Sequence, residues 1–228
     1  MITALIFDFD GLIIDTETPA FASWQMIYAE YGLELALERW QHALGSNRSF
    51  DAVAHLVTLL EQGPMPERAH TLDHAEMRAR RQELKQRLSA DQPLLPGVLQ
   101  RLDEARALGL PCAVASSSGR DWVAGWLHRH AIYERFVCVY TGDDVAATKP
   151  APDLFLSAAA GLERPPEQCL VFEDSPNGIL AARAAGMRVV AVPGAISRHF
   201  DLPPADLVLP TLDALPLEAL LQQVMHSS

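Results

Sequence analysis

Six short, almost uninterrupted apolar runs, with helix-length stretches between most of them, constrain the fold of this chain more than any other feature. The runs are Thr3–Asp8, Cys112–Ser116, Phe136–Tyr140, Cys169–Glu173, Val189–Pro193 and Leu207–Leu209. A strand with one wet face alternates apolar and polar residues. A run that stays apolar is a strand covered on both faces, as in parallel sheets. The stretches Gly97–Leu108, Asp121–His130, Pro152–Ala160 and Pro176–Ala185 have helical length. Ser175-Pro176 reads as an N-cap followed by a first-turn proline, and Gly186 closes that helix. Strands alternating with helices predict an α/β fold built on a doubly wound parallel sheet.

One segment breaks the alternation. Between about Pro19 and Asp91 there is helical periodicity and no convincing strand, with apolar positions at Phe21, Trp24, Ile27, Tyr28 and Tyr31 and a charged stretch from His70 to Leu88. This predicts a helical cap domain over residues 17–91, inserted into an α/β catalytic core made of residues 1–16 and 92–228. Polar residues and prolines at Asp15–Thr18 and Ala90–Pro96 mark the two hinges.

Charge and cysteine usage narrow the setting. Eighteen basic against 29 acidic residues give a formal net charge of −11, which argues against nucleic acid or an anionic membrane as partner. No apolar run reaches the roughly 20 residues of a membrane helix, and the start lacks a signal peptide's basic region. Cys112, Cys138 and Cys169 are scattered through apolar runs without metal-ligand spacing, so reduced thiols in a cytoplasmic protein are expected. No assembly helix stands out, and a monomer is expected.

The chemistry is written at the strand ends, where open α/β sheets bind ligands. Asp8 and Asp10 follow the first run, Ser116 ends the second, Asp143, Asp144 and Lys149 follow the third, and Glu173 and Asp174 follow the fourth. Singly, each is ordinary turn, cap or loop chemistry. Together they crowd carboxylates at one place, which calls for a hard divalent cation, and Mg2+ is the expected one.

Asp8-Phe9-Asp10-Gly11-Leu12-Ile13-Ile14-Asp15-Thr16 resembles the first motif of the haloacid dehalogenase superfamily, and Ser116 its second. Lys149-Pro150-Ala151-Pro152-Asp153 resembles its third, and Glu173-Asp174-Ser175-Pro176-Asn177-Gly178 its fourth. The resemblance covers nearly the whole chain and is greatest to the branch holding β-phosphoglucomutase and small sugar-phosphate phosphatases. It implies a Rossmann-like core with Asp8 as nucleophile and Asp10 as acid and base. Lys149 and Ser116 would serve the phosphoryl group, assisted by Ser117 and Ser118. Asp8, the carbonyl of Asp10, Glu173 and Asp174 would hold Mg2+.

The same resemblance frames the substrate. Asp10 favours phosphate esters over the dehalogenase and phosphonatase branches, which lack that aspartate. Arg48 stands where the mutases carry an arginine that grips a distal phosphate. Ala20 stands where they carry a histidine, and this favours a phosphatase acting on a small phosphorylated metabolite, with a β-phosphoglucomutase-type mutase as the alternative. A catalytically silent binding module would have lost one of Asp8, Asp10, Lys149 or Asp174, and all four are present. Arg78, Arg80, Arg81, Lys85 and Arg87 alternate with acidic and polar residues and are expected to form a solvated helix face. Asp143 and Asp144 are expected to orient Lys149 or its loop.

Overall fold

The computed structural model describes residues 1–40, 50–63 and 66–226. In chain order the elements are β1 (Ala4–Phe7), α1 (Glu17–Ala29), α2 (Leu37–Trp40), α3 (Ala52–Gln62), α4 (Pro66–Ala69) and α5 (His74–Ser89). There follow α6 (Val98–Ala107), β2 (Cys112–Ala115), α7 (Arg120–Arg129), β3 (Cys138–Tyr140), α8 (Asp153–Gly161) and β4 (Cys169–Glu173). The chain ends with α9 (Pro176–Ala184), β5 (Arg188–Ala191), β6 (Leu207–Val208) and α10 (Leu217–His226).

All strand pairs are parallel and the sheet order is β3-β2-β1-β4-β5-β6. Period-2 geometry sends successive side chains to opposite faces. Leu5, Phe7, Val114, Leu170 and Phe172 enter one apolar cluster, while Ala4, Ile6, Ala113, Ala115 and Val171 enter the other. Both faces are therefore dry, which is why these strands show no polar alternation. Phe7 lies opposite Val114 on one side and Phe172 on the other. One residue further, Asp8 comes level with Glu173 at the carboxyl edge of the sheet.

Helices α1 to α5 surround a third apolar cluster that includes Phe21, Trp24, Ile27, Tyr28, Leu56 and Leu84. Ile196 and Phe200, from the segment after β5, pack against the same cluster. At the chain's entry and exit, Ile14 bridges antiparallel to Leu94 and Leu95 N donates to Ile13 O.

Two elements differ from the sequence reading. β3 begins at Cys138, because Tyr133–Arg135 form a short 3-10 turn. Phe136 turns into the core, with its ring edge-on to Phe7 at 5.9 Å. Helix α10 was not anticipated, although Leu217, Leu220 and Val224 recur at helical spacing and are buried. It is anchored through buried Arg101 of α6, which donates to the carbonyls of Leu212 and Leu215 and pairs with Glu104 at 2.8 Å. Among the described residues no helix is long and apolar enough to cross a membrane.

Candidate active site

Strand ends β1 and β4 and the loop after β3 assemble a buried charge cluster. Lys149 is 1% exposed. Its Nζ donates to Asp8 Oδ1 and, at 2.6 Å, to Glu173 Oε1. Asp174 completes the group: one oxygen from each of Asp8, Glu173 and Asp174 lies within 4.8 Å of the others. Burial pushes the Asp8 carboxyl well above its ordinary range, and the Glu173 charge adds to this while Lys149 opposes it. Asp174 is raised in the same way, first by burial and then by Glu173 and Asp8. Burial works against the Lys149 ammonium, but Asp8 and Glu173 win and raise its pKa.

The fourth strand-end motif builds its own support. Ser175 caps α9 by accepting from Gly178 N, while its N–H and hydroxyl both donate to Glu173 Oε2. Gly178 carries no side chain because a Cβ there would overlap the Glu173 carboxylate. Gly11, at φ +87°, similarly leaves room for the carboxylate of Asp174.

Asp10 takes a different environment from Asp8. Its Oδ1 accepts from Thr16 Oγ1 at 2.6 Å and Trp122 Nε1 at 3.0 Å. Its Oδ2 accepts from Ser118 Oγ at 2.6 Å and Ser116 Oγ at 3.1 Å. Burial alone would raise its pKa, yet the Lys85 charge and donors from Ser118, Thr16 and Trp122 hold it below the ordinary value. Two carboxylates two residues apart are thereby driven in opposite directions.

A cavity of about 630 Å³ opens between this sheet edge and the helical layer. Asp8, Asp10, Ser116, Ser117 and Ser118 line its floor; Glu17, Trp24, Trp40, Arg81 and Lys85 line its other wall. The expectation of a solvated face therefore fails for Arg81 and Lys85, which turn inward because Asp10 and Glu17 draw them. It holds better for Arg80, exposed in its pair with Glu30, and Arg78 pairs with Asp51 at 2.7 Å at the cavity's mouth. Glu17, Lys85 and Trp122 were missed in the sequence. Only Glu17, directly after the hinge residue Thr16, carried a local signal. Asp143 and Asp144 serve their loop rather than Lys149: Asp143 accepts from Arg120 N, and Asp144 accepts from Thr141 and pairs with Arg120. Arg48 lies outside the described residues.

Glu17 yields a pH prediction. Burial raises its pKa to about 7, with Lys85 and Arg81 opposing and Asp10 and Asp15 reinforcing. A carboxyl raised on folding costs stability as pH climbs from its unfolded to its folded pKa. Glu17→Gln removes that cost, so the melting-temperature gap between variant and parent should widen in the variant's favour from pH 5 to pH 8. The gain is on the order of 2 kcal/mol once partial exposure is discounted. A gap that stays constant across that range would refute the assignment.

A family model of haloacid dehalogenase-like hydrolases matches residues 5–192. YhcW of Bacillus subtilis is 39% identical over 197 residues, which cover 86% of each chain. The fructose-1-phosphate phosphatase YqaB of Escherichia coli is 34% identical over 189 residues, 82% of this chain and 95% of its own. A crystal structure of a CbbY variant from Rhodobacter sphaeroides in complex with xylulose-1,5-bisphosphate matches with a TM-score of 0.72 at 29% identity, covering 93% of this chain and 95% of that one. With the family match running from β1 through β5 and full-length relatives above 30% identity, this chain belongs to the haloacid dehalogenase-like hydrolases.

Proposed function

We propose that this hydrolase removes the phosphoryl group from a small phosphorylated metabolite, a sugar phosphate before other classes, through an aspartyl-phosphate on Asp8 with Mg2+ beside it. One observation carries the reading. Asp8 and Asp10 face the same cavity, one braced by a buried lysine and the other by hydroxyl and indole donors. The activity of YqaB toward fructose 1-phosphate and the sugar bisphosphate bound by CbbY favour the sugar class.

Asp8 would attack phosphorus in line as the bond to the leaving oxygen breaks, and Asp10 would give that oxygen its proton. Asp10 would then take a proton from the water that displaces Asp8 and releases phosphate. Lys149 offsets charge on the phosphoryl oxygens, and the hydroxyls of Ser116 and Ser118, with Ser117, are placed to donate to them. Once those serines turn to the substrate, the hydrogen bonds that favour ionised Asp10 weaken, and Asp10 carries a proton more readily.

The donor set fits a hard divalent cation. Three buried carboxylates against one ammonium leave two negative charges uncompensated. Asp8 and Asp174 are the freer ligands, the carbonyl of Asp10 a further one, and Glu173, whose oxygens already serve Lys149 and Ser175, would act directly or through water. Bound there, Mg2+ supplies charge neutralisation that lets a phosphate anion approach Asp8. Residues 17–91 would act as the cap that closes over residues 1–16 and 92–228.

The test is inorganic phosphate release across a panel of sugar phosphates, with and without Mg2+. Steady Mg2+-dependent release from one or more monoesters is expected. No release, with glucose 6-phosphate formed from β-glucose 1-phosphate once a bisphosphate primer is added, would replace this reading with the mutase.

A further inference from the structure

We propose that Trp122 is a positioning residue for Asp10: its indole N–H fixes Oδ1, which leaves Oδ2 as the oxygen that handles the proton. The inference rests on the reading of Asp10 as acid and base, and it adds the group that decides which way that carboxyl faces.

Trp122 lies in the first turn of α7, at the carboxyl edge of the sheet, and lines the cavity. Its ring is clamped. Trp126, buried beneath it, meets it edge-on at 5.8 Å, and Trp126 is itself stacked on His130. From the helical layer, Lys85 Nζ sits 4.4 Å from the ring centroid, a cation–π contact that ties α5 to α7 across the cavity. With the ring held from two directions, Nε1 donates to Asp10 Oδ1 at 3.0 Å.

The donor's chemistry then discriminates between the two carboxylate oxygens. An indole N–H donates and never accepts, whereas a hydroxyl does either. Oδ1 faces the indole and the Thr16 hydroxyl; a proton there could point to Thr16, but it would make Oδ1 the weakly accepting hydroxyl oxygen of the acid and cost the indole its carbonyl acceptor. Oδ2 faces the hydroxyls of Ser116 and Ser118, and both can rotate to accommodate a proton. Asp10 therefore carries its proton on the side of the phosphoryl-binding serines. In the forward step Oδ2–H passes its proton to the leaving oxygen as the P–O bond breaks; in the second step Oδ2 receives one from water. Packing alone asks for no N–H at this position, since a phenylalanine would still present an aromatic ring to Trp126 and Lys85.

The test is leaving-group dependence in a single turnover. Release of phenol from phenyl phosphate and of nitrophenol from p-nitrophenyl phosphate is followed for the parent, Trp122→Phe and Asp10→Asn. Nitrophenolate departs without a proton and phenolate needs one more. Trp122→Phe is expected to slow phenol release about 10-fold, part of the 10²–10⁴ that an acid–base group contributes, and nitrophenol release by less than about 2-fold. Asp10→Asn should show the same bias, larger. Both substrates meet one protein preparation, so partial unfolding would depress both rates alike. An equal loss on the two substrates, or no loss, in Trp122→Phe while Asp10→Asn keeps the bias would overturn the role of Trp122 alone. An unbiased Asp10→Asn would remove the acid reading itself, and this inference with it.

Discussion

Asp8→Asn is expected to reduce turnover by at least about 10⁴-fold, the scale of losing a nucleophile outright, while leaving the fold at least as stable. The amide matches the carboxylate in shape but cannot form the acyl-phosphate bond. Stability follows from the charge cluster. Asp8 has its pKa raised by burial first and by Glu173 second, with Lys149 only partly compensating. A carboxyl so raised costs stability at any pH above its unfolded value, and the cost is complete once pH passes the folded value. Asparagine removes it, and Lys149 keeps Glu173 as a partner at 2.6 Å. Phosphate release and a metal-free thermal melt on the same sample check both halves. Full activity in the variant would end the covalent reading. A melting temperature well below the parent's would mean that Asp8 is needed as the lysine's counter-ion.

Removing Mg2+ is expected to stop phosphate release completely, and restoring it to bring the rate back. The same cluster predicts a thermal effect. Ligand at about 100 times its dissociation constant stabilises a fold by about 2.7 kcal/mol. For a chain of 228 residues that shift corresponds to roughly 5–10 °C in melting temperature. The parent should show this rise when Mg2+ is added to chelated protein. Asp174→Asn, which takes away one of the freer carboxylates, should lose most of it. Undiminished turnover in excess chelator would sink the metal requirement, and an equal thermal rise in Asp174→Asn would place the ion elsewhere.

The strands and most helices of the α/β layer could be read from the sequence because their signals are local. A run such as Ala4–Phe7 is apolar at every position since it is buried on both faces, and Ser175-Pro176 marks a helix start within two residues. Asp8, Asp10, Ser116, Glu173 and Asp174 were legible for the same reason: each stands at or just beyond the end of such a run, where this architecture places ligands, while Lys149 was legible from its own motif in the loop after β3. The relation of Asp10 to its partners was not legible. Thr16, Ser118 and Trp122 reach it from 6, 108 and 112 residues away, and nothing in the local pattern around Trp122 distinguishes it from a packing residue. Lys85 gives the clearest contrast. Its helix reads as solvated because the residues around it are charged and polar, but that pattern shows which residues can tolerate water and not which surface they face. Only the packing of α5 against α1 and over the sheet edge turns Lys85 toward Asp10 and the ring of Trp122. The sequence by itself determined the parallel sheet and the charged groups at its edge, because burial and strand ends leave local marks. The tertiary structure decided which oxygen of Asp10 meets which donor, because that depends on parallel register and helix packing between segments a hundred residues apart.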